Sequence, residues 1–192
     1  MARPPDLVPG PVEGRAEDEA IIAQVLDGDV EAFAELVRRH RDSVYRVGLS
    51  WFHRHEEAED LVQEVFVKAY TKLASFRGAS RFSTWLLRIA YNTAISGRER
   101  RKTPEEFDGE SYVDPREGVE AGVVAGESAR ELREALAELS PDQALCVDLC
   151  FFQDLSYVEI AEVTGYPVNT IKSHVFRAKR ALREKLRDRM EV

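Results

Sequence analysis

Between positions 58 and 73 the apolar side chains Ala58, Leu61, Val62, Val65, Phe66, Ala69 and Leu73 recur at spacings of three and four. Only a helix of about 3.6 residues per turn gathers such positions onto one face, so this stretch has to bury a stripe against other elements. Its opposite face carries Asp60, Gln63, Glu64 and Lys68. The same period runs upstream. Ala20, Ile21, Val25 and Leu26 make a short helix that Gly28 ends, and Ala32, Phe33, Leu36, Val37, Val44, Tyr45 and Val47 make a second. No stretch alternates as a half-buried strand does, and no segment repeats at a fixed period. The expected fold class is therefore all-α.

Residues 1–16 are rich in proline and glycine and read as a mobile tail, with order expected from about Glu17. After the striped helix, Gly78 marks a loop, and Ser83 is the expected N-cap of a fourth helix that begins TWLLRIAYNTAI and ends between Gly97 and Pro104. Residues 103–127 combine eight acids with a single basic residue, Arg116, and have no sustained period. This segment reads as a flexible acidic linker. Helical pattern resumes at Leu132, Leu136 and Leu139, breaks at Ser140-Pro141, and continues through Ala144, Leu145, Val147, Leu149 and Phe151. Two small helical domains, 17–102 and 128–188, are the expected organisation.

The net charge of −8 and a pI of about 5.2 argue against a uniformly basic coat for nucleic acid. The total hides segregation. Residues 77–102 carry seven basic side chains against Glu99, and residues 172–189 carry eight against Glu184 and Asp188. Two basic patches separated by an acidic spacer point to two contacts with a polyanion, although solvated helix faces account for each run taken singly.

The second patch has a definite shape. Ser156 caps a short helix whose Val158, Ile160, Ala161 and Val163 can face a core; Gly165 gives a tight exit, and Tyr166-Pro167 starts a turn. A longer helix from about Asn169 turns Ile171, Val175, Ala178 and Leu182 inward and Asn169, Thr170, Lys172, Ser173, His174, Arg177 and Arg180 outward. Lysine and arginine donate to guanine edges, asparagine pairs with adenine, and serine or threonine holds phosphate, so this face fits the recognition helix of a helix-turn-helix. In the first patch Phe76, Phe82, Trp85 and Tyr91 alternate with Arg77, Arg81, Arg88 and Arg98. Rings among cations suit unstacked single-stranded bases, while Phe82 and Trp85 fit an ordinary core equally well.

The stretches EEAEDLVQEVFVKAYTKLASF, FRGASRFSTWLLRIAYNTA and LSYVEIAEVTGYPVNTIKSHVFRAKRALREKL, in this order, resemble the extracytoplasmic-function group of bacterial RNA polymerase sigma factors. The resemblance implies that Asp60, Gln63 and Glu64 dock on core RNA polymerase. It implies that the loop with Phe76, Arg77, Ser80 and Phe82, and the helix with Trp85, Arg88 and Asn92, capture the minus-ten element as it melts. It also implies that Asn169, Thr170, Lys172, Ser173, His174, Phe176, Arg177 and Arg180 read duplex minus-thirty-five DNA, although Phe176 fits a core position as well. An anti-sigma factor is the further partner expected by analogy. Family members often carry an acid where this chain has Ser96-Gly97, which puts the end of the fourth helix in question.

A free-standing helix-turn-helix regulator is the alternative, and it leaves the aromatic loop and the Asp60, Gln63, Glu64 face without a purpose. No phosphate loop or Ser-His-Asp set supports an enzyme, and neither a cofactor nor a small-molecule substrate is expected. His53 and His55 diverge on a helix, while Cys146 and Cys150 read as small buried thiols, so no metal site is expected. Two cysteines build no disulfide framework, apolar runs fall short of the roughly 20 residues of a membrane span, and a cytoplasmic protein is expected.

Overall fold

The computed structural model describes residues 13–101 and 138–190; the expected linker, along with Leu132 and Leu136, lies outside the described residues. Among the described residues seven α-helices form: α1 (Glu13–Leu26), α2 (Phe33–Phe52), α3 (His55–Lys72), α4 (Phe82–Arg101), α5 (Pro141–Phe151), α6 (Tyr157–Thr164) and α7 (Val168–Met190). Single 3₁₀ turns, Val30–Ala32 and Leu73–Ser75, precede α2 and follow α3.

The α3 stripe is buried throughout, with Val65, Ala58 and Ala69 at 0% exposure. Its main partner is α2, which presents Leu36, Val44 and Val47. The two helices touch where Gly48 faces Ala58, and a Cβ built on Gly48 lies 2.7 Å from the Ala58 Cα. Only a residue without a side chain permits that approach. The hairpin between them is two residues long: His53 closes α2 in the left-handed region (φ 55°), its N–H donating to the Leu49 carbonyl, and extended Arg54 opens α3. Arg39 ties α2 to α1 through Glu17 at 2.6 Å, and His40 Nε2 meets the buried Asp18 carboxylate at 2.9 Å.

Helix α4 lies across α2 and α3 with Phe82, Leu86, Ala90 and Ala94 buried. It starts at Phe82, so Ser83 sits inside the helix and does not cap it. It runs through Gly97 to Arg101, a Cβ at Gly97 having room beside Phe52. The first helix departs further from expectation. It begins at Glu13, and it buries Asp18, Ile22 and Val25 while Ala20 is exposed and Leu26 is half in solvent. The four-residue stripe read from the sequence was too short to fix the phase, because Ile21 and Ile22 satisfy opposite choices.

In the second half the caps form as the residue types dictate. Ser140 and Gln143 make a reciprocal capping box with Pro141 in the first turn, and Ser156 and Glu159 make another at α6. Ile160 and Val163 are buried, but Val158, about 160° around the helix from Ile160, is 59% exposed and does not face the core. Leu139, Val147 and Ala178 form a small cluster between α5 and α7. The other buried apolar residues of this half, including Leu145, Cys146, Leu149, Leu155 and Ile160, join the core of α1–α4 in one continuous cluster.

Gly48→Ala is expected to lower stability by about 1–3 kcal/mol through overpacking, even though alanine is the better helix former, and thermal unfolding followed by circular dichroism checks it.

Candidate nucleic-acid interface

The loop before α4 is built on an aromatic stack. Phe76 lies 5.8 Å from Phe82 and 5.4 Å from Trp85, ring centre to ring centre, and Phe82 lies 5.6 Å from Trp85. Phe82 is 2% exposed and forms the floor; Phe76 and Trp85 are half-buried above it. Of the two readings of Phe82, the structure therefore favours the core one, with Phe76 and Trp85 offering the accessible ring surface. Gly78 takes a positive φ of 67° at the loop tip, and its carbonyl accepts from Arg15 Nη2 at 2.9 Å, which ties the loop to α1. Arg77 projects into solvent, and Ser80 is half-buried.

At 100° per residue Trp85, Arg88 and Asn92 fall within a sector of about 60° on α4. Arg88 and Asn92 are exposed there, so one edge of the helix offers a ring, a cation and an amide in a row. Neighbouring α3 turns Asp60 and Gln63 outward, with Glu64 paired to Lys68 at 2.7 Å. Lys68 also donates to Thr93 Oγ1 on α4 at 3.1 Å. The same α3 face holds two apolar residues that the sequence reading passed over: Val67 is 67% exposed and Tyr70 43%. Val67 stands four residues after Gln63, in the middle of the polar sector, and that position was the available signal.

The helix-turn-helix has its expected parts. Gly165 takes φ 75°, its N–H donating to the Ala161 carbonyl at 2.8 Å, and the Pro167 carbonyl accepts from the N–H groups of Thr170 and Ile171 as α7 begins. Ile171, Val175 and Ala178 are buried; Asn169, Lys172, Ser173, Arg177 and Arg180 are exposed; Phe176 is 68% exposed, which excludes it from the core. Ser173 Oγ donates to the Asn169 carbonyl, and Arg180 Nε donates to Glu184. Thr170 and His174 stand at the shoulder of the helix, between the outer and inner sectors, and both are half-buried. The His174 ring turns back onto Tyr166 at 5.8 Å, so it does not point outward with its neighbours as expected.

The two surfaces lie side by side because α4 packs along α6 and α2 along α5. Tyr91 of α4 meets Tyr166 of the turn at 6.3 Å, and Tyr166 donates to Asp142 at 3.1 Å. Arg46 approaches Asp148 at 3.8 Å, Arg81 approaches Glu159 at 3.8 Å, and Gln153 Nε2 donates to the Ser43 carbonyl at 3.4 Å. Burial pushes the Cys146 thiol up to about 12, and both cysteines are buried thiols outside any disulfide. Among the described residues no three potential ligands gather as a metal site, and no helix is long and apolar enough to cross a membrane.

The family description Sigma-70 region 2 matches residues 36–103, the stretch that holds α2, α3, the aromatic loop and α4; Sigma-70 region 4 matches residues 129–182, which hold the helix-turn-helix. The chain belongs to the sigma-70 family of RNA polymerase sigma factors. Its relatives place it in the extracytoplasmic-function group. It is 35% identical to the sigma factor SigW of Bacillus subtilis over 180 residues, covering 87% of this chain and 95% of that one. It is 34% identical to the sigma-H factor of Pseudomonas aeruginosa, covering 86% and 92%, and 34% identical to the sigma-E factor of Escherichia coli K12, covering 88% and 94%. Among solved structures it is similar to the sigma factor RpoE of Bartonella quintana in complex with the anti-sigma factor NepR, with a TM-score of 0.66 and 29% identity over 81% of this chain and 96% of that one. As a sigma factor, the protein directs core RNA polymerase to promoters, and the free-standing regulator reading is set aside.

The sigma factor's seam between α2 and α5 holds a carboxyl out of its ordinary range. Burial pushes Asp148 up to about 6 from 3.8, against the pull of Gln153 and Arg46. The packed state thus binds this proton more tightly than the unfolded chain, so the charged form costs stability above about pH 6, and the cost fades as pH falls toward 3.8. His53 works the other way, since burial lowers its pKa and its contribution falls as pH drops through 6.5. Comparison with a variant isolates the carboxyl: Asp148→Asn is expected to raise the melting temperature by several degrees at pH 8, to keep about half of that advantage at pH 5, and to lose it as pH falls below 3.8.

Proposed function

We propose that the three exposed surfaces divide the work of initiation. Residues 17–102 act as the region 2 domain: Asp60, Gln63 and Glu64 of α3, joined by Val67, dock on core polymerase, while Phe76, Arg77, Ser80, Trp85, Arg88 and Asn92 take the minus-ten strand, with Phe82 supporting the rings. Residues 128–188 act as the region 4 domain, in which Asn169, Lys172, Ser173, Phe176, Arg177 and Arg180 of α7 enter the minus-thirty-five major groove and Thr170 and His174 flank them. Residues 103–127 link the two. The observation that carries this reading is the row of Trp85, Arg88 and Asn92 on α4, a stacking ring beside a cation and an amide, within one matched family region while a basic recognition face fills the other.

No bond is made or broken by this chain. Stacking and hydrogen bonding to unpaired bases stabilise the open duplex over the closed one, so trapping shifts the opening equilibrium. Two linked DNA contacts raise affinity through effective concentration. Its acidic total weakens binding to DNA in the absence of polymerase. The protein works in the cytoplasm, where polymerase is. The likeness to a sigma factor held by NepR supports an anti-sigma partner here too.

Run-off transcription from genomic fragments with purified core polymerase tests the reading. Transcripts are expected only when the chain is added. The double change Trp85→Ala and Asn92→Ala is expected to reduce them by about 10- to 100-fold, the worth of one stacked base, while co-elution with core polymerase persists. Arg177→Ala is expected to weaken duplex binding. A chain that neither starts transcripts nor co-elutes with the enzyme sinks the proposal.

A further inference from the structure

We propose that the first two turns of α1 are a positioning element for the aromatic loop: Arg15 holds the tip of the loop, and Asp18, through His40, holds its floor. The inference rests on the assignment of that loop to the minus-ten strand. Along α1 the inward stripe of Val25 and Ile22 continues toward the N-terminus through Asp18 and Arg15, at spacings of three and four. Val25 and Ile22 are buried and seat the helix on the core. At the next two positions of the stripe the chain has an acid and a base, and both bond toward the loop before α4.

The loop's backbone is bonded at its two ends, where the Phe76 N–H donates to the Leu73 carbonyl and the Trp85 N–H to the Arg81 carbonyl. At its tip the contact comes from α1. Gly78, at φ 67°, offers its carbonyl to Arg15 Nη2, which donates at 2.9 Å. Glu19, one turn further along α1, accepts from Arg15 Nε at 2.8 Å and fixes the guanidinium in that pose. The floor is held from beneath. His40 meets Phe82 edge to face with ring centres 5.2 Å apart, and its Nε2 lies 2.9 Å from the Asp18 carboxylate. Asp18 is 6% exposed, and Arg39 stands 3.7 Å away as its second partner. A carboxylate withdrawn from water needs such partners, and here they fix the imidazole on which Phe82 rests. Phe76 and Trp85 pack on Phe82, so both ties act on one ring cluster. A loop whose rings are set before a strand arrives loses less freedom on binding than one that orders only then. Arg15 and Glu19 are 42% and 47% exposed, so their pair adds little to folding stability and its effect falls on the shape of the loop.

Hydrogen exchange followed by mass spectrometry in the full chain reads the loop, and strand binding by the chain in complex with core polymerase reads its use. The probe is a single-stranded oligonucleotide carrying the non-template minus-ten strand of a promoter found by run-off transcription, beside a copy with its bases substituted. Arg15→Ala is expected to speed exchange of the loop amides from Arg77 to Arg81 by about three- to tenfold, the worth of one net hydrogen bond. The ratio of matched to substituted strand binding is expected to fall by a similar factor, while melting temperature, co-elution with core polymerase and duplex binding through α7 hold. Arg15→Lys keeps a cationic donor and is expected to recover part of the ratio. Glu17→Ala cuts a different bond of α1, the one to Arg39 on α2, and is expected to leave the ratio unchanged. Exchange and ratio in Arg15→Ala equal to those of the wild type overturn the proposal. So does faster exchange with an unchanged ratio in a complex that prefers the matched strand. A fall in ratio that Glu17→Ala reproduces, or that comes with a lower melting temperature, means a general loosening of α1 and overturns it as well. A wild-type complex with no preference for the matched strand, in a chain whose loop exchange still rises in Arg15→Ala, sustains the tie and removes the loop's assignment to the minus-ten strand.

Discussion

The approach of α2 to α3 at Gly48 and Ala58 is the constraint from which the rest follows. With no side chain between them, the two helices form a close pair whose outer groove accepts α4 along Phe82, Leu86, Ala90 and Ala94. Seating α4 there leaves it two further sides. One takes α6 through Leu87 and Tyr91, and the other stays in solvent with Trp85, Arg88 and Asn92. A wider crossing at Gly48 would lower α3, tilt α4 and move that row relative to the loop that Phe76 and Phe82 hold.

Long apolar stripes were legible in the sequence, because seven positions on α3 leave one phase open. So were the caps: Ser140, Ser156 and Gly165 each do what their side chain, or lack of one, permits locally. Short stripes were not. In α1 and α6 an isoleucine beside another apolar residue allows two phases, and tertiary packing chose against Ala20, Leu26 and Val158. On α7 the outer face was read correctly except at its shoulder, where His174 had a ring to lean on that no helical wheel displays. Membership of the sigma-70 family was legible from three stretches, and the two matched regions coincide with them.

The union of the two halves into one core was the part that the sequence concealed. Leu145 and Leu149 fit a helix interior and Tyr166 fits a turn, while no local pattern singles out Arg46 or Glu159. What joins them are pairs far apart along the chain, Tyr91 with Tyr166 and Arg46 with Asp148, and periodicity carries no information at such separations. The weak geometry of those pairs is of a piece with this, since nothing in their residue types demands the partner they find.

Lys68 shows how closely the two faces of the N-terminal half are coupled. Its ammonium is shared between Glu64, on the α3 face, and Thr93, on α4. A macromolecule that draws Glu64 away leaves the ammonium to the Thr93 hydroxyl, so the α3 surface and the middle of α4 compete for one cation.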